Sequence, residues 1–287
     1  MNHGRYRPMH TELDTRMKEK EVFSQLKLGE DRYTVVRCDG RAFHTFVEDA
    51  FLRRPFDERF AKAMAYGASM MMEELRGVFA YTQSDEVSIL LSKKAALYDG
   101  RAEKLASVGA SIMAVNFNIA FRDLWKPPAM RPDEPTWVPP NHPPPAYFDG
   151  RTVVLDDPQD VAEYFRWRQL DARRNAVNSQ VYWMLREEGK SPKAAHSIMV
   201  NKSSEELISL LPRDYDGAPL AGGPVWAVNG IGVRREVVRR TGHNPITNED
   251  VEVERRRIVT NWQQGDVVPT VLKAIEEEEQ ALSKETK

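Results

Sequence analysis

The chain has 287 residues, 41% of them hydrophobic and 29% charged, with a formal net charge of −2. That length can bury a real core in one large domain or two closely packed ones. The near-neutral charge gives no global attraction to nucleic acid, so any such binding must rest on local patches. The one cysteine, Cys38, excludes an internal disulfide and a cysteine-based zinc site, and suits a reducing, cytoplasmic location. The first 21 residues are polar, unlike a signal peptide, and no run of 18 apolar residues occurs, so no membrane span or membrane partner is expected.

Residues 32–38 are β-branched and aromatic and predict a strand ending at Asp39-Gly40. Asp57 is placed to cap a helix in which Phe60, Ala63, Met64, Gly67, Met71 and Leu75 recur at helical spacing, closing near Gly77. The Met70-Met71-Met72 run reads as core filler rather than as a soft-metal site. Strands follow over 78–82 and 86–92, joined by a hairpin at Gln83-Ser84-Asp85. A helix spans about Arg101 to Leu124. Nine prolines between Lys126 and Tyr147 then predict an extended surface loop. Tyr147 to Leu155 reads as a strand interrupted by a turn at Asp149-Gly150.

The order strand, helix, strand, strand, helix, strand is that of the split β-α-β, ferredoxin-like sheet. In it the first strand lies antiparallel beside the third, so the end of the first, Asp39, abuts the start of the third, Asp85-Glu86. Two aspartates and a loop carbonyl suffice to hold Mg²⁺, which prefers oxygen ligands, and paired Mg²⁺ ions serve nucleotidyl transfer. Gly40 admits close approach of the backbone. Arg41 and His44 are placed to contact phosphates and Phe43 to stack on a base. Asp-Gly and Ser-Asp are also good turn formers, and a purely structural role stays open on topology alone.

The second half predicts a long helix over Pro158 to Glu188, another begun by Ser191-Pro192, and a capping box at Ser203–Glu206. After Gly222-Gly223, strands are expected over Val225 to Arg239 and Val251 to Thr260. The arginines there (Arg234-Arg235, Arg239-Arg240, Arg255-Arg256-Arg257) suit phosphate contacts or plain surface charge. Glu276–Glu279 suits a solvated helix face. Gly230-Ile231-Gly232 lacks the third glycine of a dinucleotide fingerprint, and His3, His10, His142, His196 and His243 are scattered. The expected fold is α+β, with three parts: 22–155 catalytic, 156–265 helical and β, 266–287 an acidic tail, helical or disordered.

Asp39-Gly40-Arg41-Ala42-Phe43-His44, Ser84-Asp85-Glu86, Phe148-Asp149-Gly150-Arg151 and Trp167-Arg168-Gln169-Leu170-Asp171 together resemble, in order and spacing, the tRNA(His) guanylyltransferase family over roughly residues 30–260. The resemblance implies a polymerase-palm-like catalytic half and addition of nucleotides to the 5′ end of tRNA, in the 3′-to-5′ direction. It implies two Mg²⁺ ions on Asp39, Asp85 and the Gly40 carbonyl. ATP and GTP or another NTP would be held by Asp39, Gly40, Arg41, Ala42, Phe43, His44, Ser84 and Asp85, with Glu86 catalytic in support. Arg54 falls where the family carries a lysine near the triphosphate. Arg101 and Lys104 match a basic cluster that contacts phosphate. A homotetramer is implied as well.

The chain departs from the family at Arg173-Arg174-Asn175-Ala176, where eukaryotic members have His-Ile-Asn-Asn, and at Glu103 in the basic cluster. This resembles the relatives that repair 5′-truncated tRNA by templated addition, so template-dependent repair is expected ahead of addition of G to tRNA(His) alone. Two alternatives use the same residues: a palm-type nucleotidyl cyclase acting on free NTP, and a non-catalytic RNA-binding relative.

Overall fold

The computed structural model describes residues 12–29, 32–93, 97–129, 138–212, 223–244 and 248–285. The polar stretch before Glu12, with His3 and His10, and the centre of the proline-rich segment (130–137) lie outside them. The elements run α1 (Glu12–Lys18), β1 (Tyr33–Arg41), α2 (Phe43–Asp49), α3 (Glu58–Glu74), β2 (Gly77–Gln83), β3 (Glu86–Leu91), α4 (Ala102–Leu124), β4 (Tyr147–Leu155), α5 (Pro158–Glu187), α6 (Pro192–Met199), α7 (Ser204–Ile208), α8 (Val225–Asn229), β5 (Ile231–Asn244), β6 (Glu249–Asn261) and α9 (Val267–Glu285).

One six-stranded sheet, in the order β4-β1-β3-β2-β5-β6, carries the fold, and every pairing in it is antiparallel. Its first four strands have the split β-α-β order. Successive residues of a strand face opposite ways, so β1 serves two cores. Val36 and Cys38 pack with Met64, Met71, Met113 and Phe117 of α3 and α4 on one face. Val35 packs with Leu90, Phe79, Phe165 and Val271, under α5 and α9, on the other. Each large apolar side chain so buried contributes about 1.5–3 kcal/mol. Met71 and Met72 are fully buried filler, as their spacing implies. Cys38 is buried too, and burial pushes its thiol up to about 12. The sheet runs across residue 155, because β5 pairs with β2 from Thr82↔Ile231 to Phe79↔Arg234. By length and composition α4 is apolar enough to cross a membrane; here its inner face, including Met113, Phe117 and Phe121, packs on the sheet.

Three local expectations need correction. β4 is unbroken, and Asp149-Gly150 forms no turn. A Cβ on Gly150 would lie 2.1 Å from the Ala106 carbonyl oxygen, so the glycine is there to let α4 pass close to the strand. β1 continues through Asp39-Gly40 to Arg41 because β4 supplies partners as far as Tyr147. Val225–Asn229 is a helical turn rather than strand, closed by Ala227 and Val228 amides donating to the Pro224 carbonyl. The helix caps at Asp57, Ser191 and Ser203 form as the sequence predicts, and Asp157 supplies a further one to α5; each accepts from a backbone amide of the first turn. The acidic run is not wholly solvated. Glu279 accepts from the Tyr33 hydroxyl at 2.9 Å, and Glu278 accepts from Ser92.

Candidate active site

The β1–β3 ladder ends with Asp39 opposite Glu86, and Asp149 of β4 faces Asp39 from the other side. One step on, the Gly40 amide donates to the Asp85 carbonyl at 3.0 Å. Asp85 sits in the two-residue connection between β2 and β3, entered through Ser84 at φ 47. Its Oδ1 accepts from the Ser84 hydroxyl at 3.0 Å. Asp39 and Asp85 are thus brought together by sheet topology and by one backbone bond.

Asp149 is paired with Arg151 at 2.6 Å, whereas among the described residues no cation pairs with Asp39 or Asp85. Burial raises the Asp85 pKa above the ordinary carboxylate range, and the charge of Asp39 raises it further. The donors here are carboxylate and carbonyl oxygens, the set a hard divalent cation prefers. Among the described residues no three His, Cys, Asp or Glu side chains converge on one point. The set that fits a metal is therefore two carboxylates with a backbone carbonyl, and a close carboxylate pair without a cation is electrostatically unfavourable.

Glu86 has a different environment. It is buried on the α5 face and accepts from Arg168 Nη1 at 2.8 Å, with Arg37 Nε at 4.0 Å. Burial raises its pKa while Arg168 opposes the rise. Arg168 comes from the inward stripe of α5 that also carries Val161, Phe165 and Ala172, and its guanidinium lies 3.4 Å over the Trp167 ring. Glu86 Oε1, Arg37 Nε and Arg168 Nε find no partner among the described residues. Glu86 therefore anchors α5 beneath the site and presents no carboxylate to the cleft.

The cleft itself opens on the Asp85 side and measures about 280 Å³, just below the roughly 300–1,000 Å³ usual for small-molecule sites. Leu52, Phe56, Phe60, Met64 and Trp226 make its apolar wall, and Gln83, Ser84 and Asp85 its polar rim. His44 and Arg54 also line it. Arg54 is held 5.0 Å over the Trp183 ring and 3.9 Å from Glu48. Asn175 and Ser179 face it from α5. Asp57 lines it too, but its oxygens are taken by Arg53 and Arg59.

Phe43 also lines the cleft, though its ring is packed against those of Phe46, Phe60, Phe117 and Phe148 at centroid distances of 4.9–5.7 Å. Not every expected residue belongs here. Arg41 and Ala42 are exposed and line no cleft; Ala42, at φ 56, turns the chain from β1 into α2. Arg101 and Lys104 stand at the start of α4 outside the cleft, and Arg101 faces Glu103 at 3.8 Å. The sequence names Asp149 only at the expected turn and within a motif of the resemblance, Arg168 only within such a motif, and Arg37 only within the first strand; their places beside the site come from the β1–β4 pairing and from the inward face of α5.

Comparison with known proteins bears on this geometry. The family model described as Thg1, tRNAHis guanylyltransferase, matches residues 14–156. The tRNA(His) guanylyltransferase of Candida glabrata is 30% identical over 182 residues, 62% of this chain and 73% of that protein. This chain belongs to the tRNA(His) guanylyltransferase family. The probable tRNA(His) guanylyltransferase of Mus musculus is 33% identical over 193 residues, covering 65% of this chain and 61% of the mouse protein, so the chain spans about three fifths of that relative's length. A bacterial tRNA(His) guanylyltransferase-like protein, solved in complex with ATP and with GTP, superimposes with TM-scores of 0.65 and 0.60 at 25% identity, over 91% of this chain and 98% of that one. The family match takes in β1, β3 and β4, hence Asp39, Asp85, Glu86 and Asp149. The structural match extends over most of the remainder.

Proposed function

We propose that this chain adds nucleotides to the 5′ end of tRNA in the 3′-to-5′ direction, directed by the opposing strand. The observation that carries the proposal is the pairing of Asp39 and Asp85 through the Gly40–Asp85 backbone bond, beside a cleft of nucleotide-compatible size. Family membership and the ATP and GTP complexes of the bacterial relative support nucleotide substrates. The split β-α-β order of the first four strands suits the palm-like catalytic half that the family resemblance implies.

Asp39, Asp85 and the Gly40 carbonyl are the residues to hold two Mg²⁺ ions, which when bound would neutralise phosphate charge and lower the pKa of an attacking hydroxyl. Ser84, His44 and Arg54 would orient the triphosphate along the rim, leaving the apolar wall for the base. Arg101 and Lys104 would meet RNA phosphates away from the cleft. Activation joins the 5′-phosphate to the α-phosphorus of ATP and expels pyrophosphate. In the second step the 3′-hydroxyl of the incoming NTP attacks the activated 5′-phosphorus and expels AMP. Holding both reactants in line is the protein's main contribution to rate. We place the activity in the cytoplasm, in a homotetramer, as the family resemblance implies.

The test is incubation with Mg²⁺, ATP, four NTPs and a 5′-monophosphorylated tRNA lacking its first nucleotide, followed by sequencing of 5′ ends. Restoration of the complementary nucleotide, whatever its identity, is expected. Addition of G regardless of the opposing base would replace templated repair by the guanylyltransferase role. A cyclic nucleotide formed without RNA, or tRNA binding without extension, would overturn the proposal.

A further inference from the structure

Asp39 can be approached from two sides. The cleft reaches it from Asp85, and none of the residues lining the cleft comes from β4 or from α5 before Ala172. Arg37 precedes Asp39 by two residues on β1 and so projects to the same α5 face, about 6.6 Å away along the strand. The ladders set Ser88 and Arg151 beside Arg37, as they set Glu86 and Asp149 beside Asp39. β4 is the edge strand, and the side chains of Asp149 and Arg151 are about half exposed. This second side is therefore open to solvent.

Trp167 of α5 stands at it. The Arg168 guanidinium lies 3.4 Å and that of Arg37 5.9 Å from the centroid of its ring, and the Tyr164 ring meets it edge-on at 6.0 Å. Those neighbours are themselves fixed, Arg168 by Glu86 at 2.8 Å and Tyr164 by the Ser88 hydroxyl at 2.9 Å. Trp167 is nonetheless 53% exposed, as is Leu170 one turn on. A lone surface hydrophobe needs no explanation, but a large ring clamped in one orientation offers contact area at little cost in entropy. The charges around it suit an anion. Asp149 is neutralised by Arg151 and Asp171 by Arg174, whereas Arg166 is exposed beside Trp167 and Arg37 Nε finds no partner among the described residues.

We propose that Trp167 is the platform on which the end of an RNA acceptor stem stacks its terminal base, presenting the 5′-phosphate to Asp39 from the β4 side while the NTP enters from the Asp85 side. This rests on the 5′-end nucleotide addition proposed above. Aromatic rings beside guanidinium planes are the set on which splayed bases lie, and the positive charge of Arg37 and Arg166 meets the phosphate. Stacking accepts every base, because each has a π face. A platform of this kind holds an end of any sequence and leaves the choice of nucleotide to the opposing strand.

The experiment uses a 5′-monophosphorylated tRNA lacking its first nucleotide, with the fluorescent base 2-aminopurine at its 5′ terminus, titrated with the full chain in the absence of NTP. Stacking quenches this reporter. The native chain and Trp167→Phe, which keeps a ring, are expected to quench it. Trp167→Leu, which keeps apolar bulk without a ring, is expected to lose the quenching and to bind the tRNA roughly tenfold more weakly. Melting and ATP affinity should be unchanged in both variants. Equal quenching by the native chain and Trp167→Leu would overturn the proposal. So would a loss of ATP affinity, which would assign the ring to the NTP, or a fall in mass by light scattering without loss of quenching, which would assign this face to a second copy. Quenching without 5′ extension would overturn the proposed function and leave the platform standing; extension without quenching would do the reverse.

Discussion

Gly40 donates its amide to the carbonyl of Asp85 across 3.0 Å, and this bond ties the end of β1 to the β2–β3 turn. β4 holds Asp39 on its other side, but the β1–β3 ladder ends at Asp39↔Glu86, so this bond is what fixes Asp85 beside it. The space is as constrained as the bond. A Cβ on Gly40 would lie 2.3 Å from Phe43 Cδ2 and 2.8 Å from Asp85 Cβ, and the Phe43 ring is wedged among four others.

Gly40→Ala is therefore expected to displace Asp85 or Phe43. A shift near 1 Å in a reacting constellation costs on the order of 10²-fold in rate, and overpacking costs about 1–3 kcal/mol of stability. Single-turnover 5′ extension and urea unfolding measure the two. A variant extending tRNA within a few-fold of the native rate would show that this contact does not set the site.

The raised pKa of Asp85 has a signed consequence. A carboxyl held above its unfolded value of about 3.9 binds its proton more tightly in the folded chain. Its contribution to stability is thus present below that unfolded value and is lost as pH rises through the folded one. At neutral pH without divalent cation the charged side chain works against the fold. Asp85→Asn should then melt higher than the native chain in chelator at pH 7, with the advantage disappearing in acid. Mg²⁺ should stabilise the native protein and not the variant, and the variant should not extend tRNA. An Asn variant that melts lower at pH 7, with a gap that does not change with pH, would contradict the assignment.

Arg168 and Glu86 form a buried pair between α5 and β3. Removing one partner leaves an uncompensated buried charge, so Arg168→Met is expected to lose about 3–5 kcal/mol. Glu86→Gln combined with Arg168→Met should regain most of that, since the charge left behind is gone. Denaturant unfolding of the two single variants and the double gives the coupling. Additive losses would mean that the 2.8 Å contact is not an energetic unit.

Local signals carried much of the fold. The caps at Asp57, Asp157, Ser191 and Ser203, the short β2–β3 connection and the neighbouring of Asp39 with Asp85 all follow from side-chain chemistry and from one topological rule. Misreadings arose where a residue's meaning depends on a distant segment. Asp149-Gly150 has the chemistry of a turn, but Ala106, far away in sequence, makes it a point of helix–strand contact. Phe43 has the chemistry of a stacking platform and does line the cleft, but Phe46, Phe60, Phe117 and Phe148 pack around its ring.

Side-chain type and local periodicity mark the chemically capable residues: two aspartates at strand ends, a glycine between them and phosphate, and an arginine-rich hairpin. These signals depend on periodicities of two or 3.6 residues, which are local. Packing in three dimensions sets which of them face the cleft, turns Glu86 beneath it onto Arg168, and carries β5 and β6 on past the sheet. Those outcomes depend on contacts between segments distant in sequence, and burial and charge at each position are set by what packs there.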